Sequence, residues 1–201
     1  ISVVDAGNLN RNLYLTSQLL ELDIPIIVAL NMMDRVKRRK QDINPESLRK
    51  LLGVTSVIPM SAREKWGILE LKQTIVDLPE NAGLQSTMKL KIPDAINARL
   101  LPLVNFFQSH CGYRKEFAIG QSIRAITRKS AVNIYQDQNI INTENITELS
   151  NLRDHAASEI DTQGMNHHIL EATIRYDMID RALEENNIII QEEIESVSRS
   201  E

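Results

Sequence analysis

The stretch Ile24-Pro25-Ile26-Ile27-Val28-Ala29-Leu30-Asn31-Met32-Met33-Asp34 decides the fold. The apolar run from Ile24 to Leu30 has no polar alternation, as expected of a central parallel strand covered on both faces. A tetrad that opens with Asn and closes with Asp follows at once. The same arrangement recurs downstream, where Val57-Ile58-Pro59-Met60 leads into Ser61-Ala62-Arg63. Upstream, Ile1–Val4 is a short β-branched run ended by Asp5-Ala6-Gly7. Leu9, Leu13, Thr16, Leu19 and Leu20 then recur at helical spacing, with Asn8 placed as a cap. Asn44-Pro45-Glu46 predicts a helix start and Gly53 its stop. Val54–Met60 predicts another strand, and Gly67 opens a helix lasting to about Leu78. Strand and helix alternate as βαβαβα, which implies a parallel sheet with right-handed crossovers.

Strand signals fade after Leu78. Pro79-Glu80-Asn81-Ala82-Gly83 stops the helix, so residues 1–80 are expected to form an α/β unit and 81–88 a linker. Residues 89–201 are expected to be an all-α domain. Ile92-Pro93-Asp94 starts a helix that runs towards Gln108 with Pro102 inside it. Further helical patterns cover Glu116–Lys129, Thr143–Ile160 and Asn166–Asn186. The polar end, Glu195–Glu201, is expected to fray.

Apolar residues make up 42% of the 201-residue chain and charged ones 25%, the make-up of ordinary globular material. The net charge of −4 counts against a nucleic-acid or anionic-membrane surface, which would concentrate basic charge. The basic run Arg35–Lys40 is the exception and is expected to face solvent on the helix after the tetrad. Cys111 is the only cysteine, which rules out an intrachain disulfide and fits a reducing compartment. No segment approaches the roughly 20 apolar residues that span a bilayer, and no signal peptide is visible. A soluble piece is expected.

The tetrad and the Ser-Ala-Arg string together suit recognition of guanine. Guanine offers two donors side by side, the ring N1–H and the exocyclic amine. One carboxylate can accept both in a charge-assisted bidentate pair, and Asp34 stands where it would do so, beyond the carboxyl end of a strand. Asn31 can tether neighbouring loops and approach the purine N7 through its amide. The Ala62 N–H can reach the guanine O6 while the Ser61 hydroxyl braces the loop. Adenine would leave these groups mismatched, which is how a polar site rejects a near-isostere. Phosphate-reading groups are missing from the sequence. There is no G-x-x-x-x-G-K-[ST] loop, and none of the seven glycines is followed by Lys. The chain also starts at Ile1, already inside a strand-like run.

Two longer strings, residues 1–34 and Val57–Lys72, resemble the second half of the GTPase domain of the ferrous iron transport protein B family. The block Asp5–Leu15 that leads into Asn31-Met32-Met33-Asp34 is similar to that family's. So is Met32 itself, where most GTPases have Lys; its thioether stem can cover a purine face. The string His167–Leu183, with Arg175-Tyr176 at its centre, resembles the family's last helix before its membrane domain. The resemblance implies a partial P-loop GTPase sheet, lacking its phosphate-loop half, followed by a helical domain. It implies GTP or GDP as ligand, read by Asn31, Met32, Asp34, Ser61, Ala62 and Arg63. Magnesium would be held only together with the missing upstream half, where the family keeps its phosphate loop and switches. The intact relative would hydrolyse GTP and couple it to Fe²⁺ uptake from the cytoplasmic face of the bacterial inner membrane. Its helical domain would pass the nucleotide state to the membrane domain and help retain GDP. No nucleic-acid partner is implied, and a homo-oligomer remains compatible with the sequence.

Two other readings stay open at this level. One is a binding or regulatory module without turnover, and the isolated chain is expected to hydrolyse no GTP. The other is a GTPase of another branch, acting in RNA modification or ribosome assembly, against which stand the acidic balance and the Arg175–Asp180 string. Asp161-Thr162-Gln163-Gly164 matches a switch-type Asp-x-x-Gly by spacing alone and is expected to be a helix end. His155, Glu159, Asp161, His167 and His168 are expected to be helix surface, not an iron site, because helical metal pairs prefer i,i+4 spacing. Cys111 is expected to pack at a helix end. Trp66 is expected to cover apolar surface, with nearness to the nucleotide loop left open. Asp5 is expected to cap the following helix.

Overall fold

The computed structural model describes residues 1–22, 24–78 and 90–191; the expected linker at 81–88 and the polar end lie outside them. The chain divides into two compact units, one built from the residues before Leu90 together with those from Ile179 onward, the other spanning Leu90–Met178.

The first unit is built on three parallel strands in the order β1-β2-β4, with β1 Ser2–Asp5, β2 Ile27–Asn31 and β4 Ser56–Pro59. Val4 lies beside Leu30, and Leu30 beside Pro59, so the three strand ends share one edge. Ile27 to Leu30 are all buried, as the unbroken apolar run requires, whereas β1 is an edge strand with Val3 exposed. Helix α1 (Leu9–Leu19) seats Leu9 and Leu13, and its Thr16 hydroxyl meets that of Ser2 at 2.8 Å. Asn8 does not cap α1 with its side chain; instead Asp5 accepts from the Gly7 N–H at 2.8 Å and caps a single 3₁₀ turn at Ala6–Asn8. After α2 (Met33–Arg38) come β3 (Gln41–Ile43) and α3 (Pro45–Leu52). The expected start and stop of α3 both appear: Asn44 accepts from the Ser47 N–H at 3.0 Å, and Gly53 turns out at φ +62°. Helix α4 (Ile68–Val76) completes the alternation, with Leu69 and Val76 exposed.

The second unit packs α5 (Asp94–Cys111), α6 (Lys115–Thr127), α7 (Ser130–Asp137) and α8 (Thr143–Thr162) around Leu100, Leu103, Phe107, Ile123, Ile126, Leu149 and Ile160. Helix α7 had no clear signal in the sequence. Arg153 is buried in this core, donating to the carbonyls of Ala125 and Ile126 at 3.2 Å and so serving the end of α6. Asn142 accepts from the Asn145 N–H at 2.9 Å and caps α8. Asn142→Ala is therefore expected to cost about 1 kcal/mol, read as a fall in the urea midpoint of helical circular dichroism. Burial pushes the Cys111 thiol up, away from reactive thiolate, in keeping with a packing role.

Helix α9 (Leu170–Glu185) begins in the second unit and ends in the first. The structure departs here from the sequence boundary that assigned everything from residue 89 to the helical domain. Ile189–Gln191 forms a short strand, β5, antiparallel to β3, with Ile43 opposite Ile189. The Asn44 N–H also donates to the Ile188 carbonyl at 3.2 Å, and Ile188 is fully buried. Ile188–Gln191 thus belong with the α/β unit, because the partners of their ladder lie there. Among the described residues no helix is long and apolar enough to cross a membrane.

Candidate guanine-reading site

The site forms where β2 and β4 end side by side. Met32 takes the left-handed conformation at φ +64°, which turns the chain sharply from β2 into α2 and leaves its side chain partly exposed. The turn is pinned across the sheet by the Met33 N–H, which donates to the Met60 carbonyl at 3.2 Å. Asp34 is thereby placed in the first turn of α2, facing the loop after β4.

The two loops are stitched by side chains. The buried Ser61 hydroxyl donates to Asp34 Oδ1 at 2.8 Å and accepts from the Glu64 N–H at 3.2 Å. Arg38 pairs with Asp34 Oδ2 through Nη2, and its Nε donates to the Asp34 carbonyl at 3.1 Å. The Ser61 hydrogen bond, with help from Arg38, holds the Asp34 carboxyl below the usual carboxylate range against the opposing effect of burial. Because the folded value is depressed, the charged form and the support it gives the loop persist above the ordinary carboxylate range. They are lost only as pH falls through the depressed value.

The Asn31 Oδ1 accepts from the Ala62 N–H at 3.0 Å, so Asn31 ties the loops as its sequence position suggests. That contact also engages the N–H assigned to guanine O6. A base carbonyl arriving there would share this donor with Asn31 or displace it. Arg63 is exposed in the same loop. Trp66 exchanges two backbone hydrogen bonds of 3.2 Å with Ser61, and the Lys37 ammonium sits 5.1 Å from its ring centroid. Trp66 is thus a neighbour of the site, the alternative that the sequence left open.

The basic residues of the run are exposed, but the heads of Arg35, Lys37, Arg38 and Arg39 return to the loops. Besides Arg38 on Asp34 and Lys37 over Trp66, Arg35 Nη1 donates to Met32 Sδ at 3.4 Å and Arg39 Nη1 to the Gly7 carbonyl at 3.4 Å. Sequence reasoning missed this. The signal was available as the i,i+4 spacing of Asp34 and Arg38.

The remaining candidates resolve as structural features. Asp161 accepts from the backbone N–H of His167 at 3.0 Å and meets its ring Nδ1 at 2.8 Å, joining the end of α8 to the start of the last helix. Gly164 turns out at φ +78° just beyond α8, so Asp161–Gly164 is a helix end. Among the described residues no group of three His, Cys, Asp or Glu is placed to hold a metal ion. The hydrogen-bonding groups that the two loops bring together are the Asp34 carboxylate, the Asn31 amide and the Ala62 N–H.

A family model described as ferrous iron transport protein B matches residues 1–75. The chain is 42% identical over 118 residues to the Fe(2+) transporter FeoB of Legionella pneumophila strain Paris, a match covering 59% of the chain and 15% of the relative. It is 33% identical over 160 residues to the Fe(2+) transporter FeoB of Staphylococcus aureus strain COL, covering 80% of the chain and 23% of the relative. The chain thus spans less than a quarter of these relatives. In structure it is similar to the cytosolic domain of L. pneumophila FeoB, with a TM-score of 0.64 at 33% identity, covering 90% of the chain and 64% of that domain. An S. thermophilus NFeoB variant bound to GDP shares the fold, with a TM-score of 0.66 at 24% identity over 90% of the chain and 66% of its own length. With the two loops assembled on a matching sheet, the chain belongs to the ferrous iron transport protein B family and carries part of that family's GTPase domain.

Proposed function

We propose that this chain is the base-reading part of a GTP-driven Fe²⁺ uptake transporter, acting on the cytoplasmic face of the bacterial inner membrane. The observation that carries the reading is the Asp34 carboxylate, kept ionised in the first turn of α2 by a buried serine from the loop after β4. A fixed carboxylate of this kind accepts the paired N1–H and N2–H donors of guanine. Asn31 and Ala62 lie on the neighbouring loop edge for N7 and O6, Met32 covers the base, and Ser61 and Arg63 shape the loop. Phosphate contacts and magnesium belong to the phosphate-loop half of the transporter, so the chain alone binds nucleotide weakly and turns over no GTP. The helical unit passes the state of the site to the membrane domain.

The reading is tested on the chain as it stands by ¹H–¹⁵N NMR titration with guanosine and adenosine 5′-monophosphates at millimolar concentration. Saturating shifts at Asn31, Asp34, Ala62 and Trp66 with the guanine nucleotide, and none with the adenine one, are expected. Equal shifts with both would refute base reading at this site.

A further inference from the structure

The carboxylate that would read the base is already covered. Ser61 holds one oxygen, Arg38 the other, and only 4% of the Asp34 side chain reaches solvent. The two covering groups differ in freedom. Ser61 is fully buried, its oxygen also serves Glu64, and its backbone is locked to Trp66 in both directions. The Arg38 side chain is 59% exposed at the last residue of α2, so its guanidinium can pass into water with little rearrangement. A ligand approaching Asp34 displaces the arginine, not the serine.

We propose that Arg38 is a gate on guanine recognition, which exchanges places with the base on Asp34. This rests on the reading of Asp34 given above. When no base is present the guanidinium keeps a nearly buried carboxylate paired, which avoids the cost of leaving such a charge alone. When guanine arrives, one of its two donors takes the Oδ2 that Arg38 gives up and the other shares Oδ1 with the Ser61 hydroxyl, and the carboxylate stays ionised throughout. Adenine presents an acceptor at N1, so it cannot replace a guanidinium and leaves the gate shut. Arg38 thus lowers affinity for guanine by the strength of the pair it must surrender, without affecting adenine. An i,i+4 pair whose cation lies largely in water sets that effect at about two- to fivefold.

Arg38→Gln removes the ion pair and Arg38→Lys retains a cation without the guanidinium fork. Titrating each against guanosine and adenosine 5′-monophosphates, with Asp34→Ala alongside, separates the outcomes; comparing the two nucleotides cancels any effect of Arg38 on the shared phosphate. The expected result is guanine binding tightened about two- to fivefold in Arg38→Gln and close to wild type in Arg38→Lys, with adenine binding unchanged. The Arg38 Nε–H resonance of the wild type should also move towards that of a solvated arginine as the guanine nucleotide saturates. Unchanged or weakened guanine binding in Arg38→Gln, with the preference still abolished by Asp34→Ala, overturns the gate and leaves Asp34 as the base reader. A guanine preference that survives Asp34→Ala overturns the base reading itself. Absence of any guanine preference in both wild type and Arg38→Gln overturns the two together.

Discussion

Asp34→Asn is expected to reverse the base preference of the site. Asparagine keeps the size of the side chain and can still take the Ser61 hydroxyl on its carbonyl oxygen. Its amide then stands where Oδ2 was and presents a donor to the exocyclic amine of guanine, itself a donor. The site loses a charge-assisted pair and gains an opposed one, which should weaken GTP binding about a hundredfold. Xanthine carries a carbonyl at that position and should now fit. The comparison requires tight phosphate contacts, so it is made in a chimera that places the phosphate-loop half of a relative ahead of Ile1. Titration of guanosine and xanthosine triphosphates against both forms decides it. A mutant that still ranks GTP first with unchanged affinity would show that Asp34 does not read the base.

Gly67→Ala should be the most damaging small substitution in the α/β unit. Gly67 sits at φ +78°, and a Cβ built there would lie 2.5 Å from the Pro59 carbonyl oxygen and 2.6 Å from Met60 Cβ. Neither neighbour can yield easily, because Pro59 is the last residue of β4 and Met60 is bonded through its carbonyl to Met33. Left-handed backbone and overpacking together predict a loss of roughly 3 kcal/mol. Gly112→Ala and Gly164→Ala also fall at positive φ, yet nothing lies within 4 Å of either added Cβ. They should cost only about 1–2 kcal/mol, the backbone part alone. Trp66, the single tryptophan, adjoins Gly67. Urea unfolding followed by its fluorescence therefore reads the affected unit directly, and a Gly67→Ala midpoint equal to wild type would contradict the packing argument.

The features legible in sequence were those written in contiguous residues. The run Ile24–Leu30 pointed to a buried strand because both of its faces had to be apolar, although the strand starts only at Ile27 and Ile24 is exposed. Asn44-Pro45 and Gly53 bounded α3 because caps act within one turn. The site residues could be proposed because each loop carries its chemistry in three or four adjacent positions. What stayed hidden depends on partners far along the chain. Gln41–Ile43 and Ile189–Gln191 are each three residues long with no alternation to reveal them, and they are strands only because they pair. The burial of Arg153 depends on the end of α6 lying over it, which its own helix does not encode. The engagement of Ala62 by Asn31 and of Asp34 by Arg38 depends on side-chain geometry, which a motif does not encode.

The pairing of β3 with β5 has a consequence for how the chain is made. The α/β unit is discontinuous, with residues 90–178 inserted into it, and its last ladder joins a strand near residue 42 to one near residue 190. At ordinary rates of translation β3 waits about seven to thirty seconds for its partner to be synthesised. During that interval the residues directly after α2 must hold a three-residue segment without its ladder. A ribosome stalled between Met178 and Ile189 would release an α/β unit unfinished beyond α2, while the helical unit could already be complete. Quality control of nascent chains would therefore find its target in a segment translated before the helical unit.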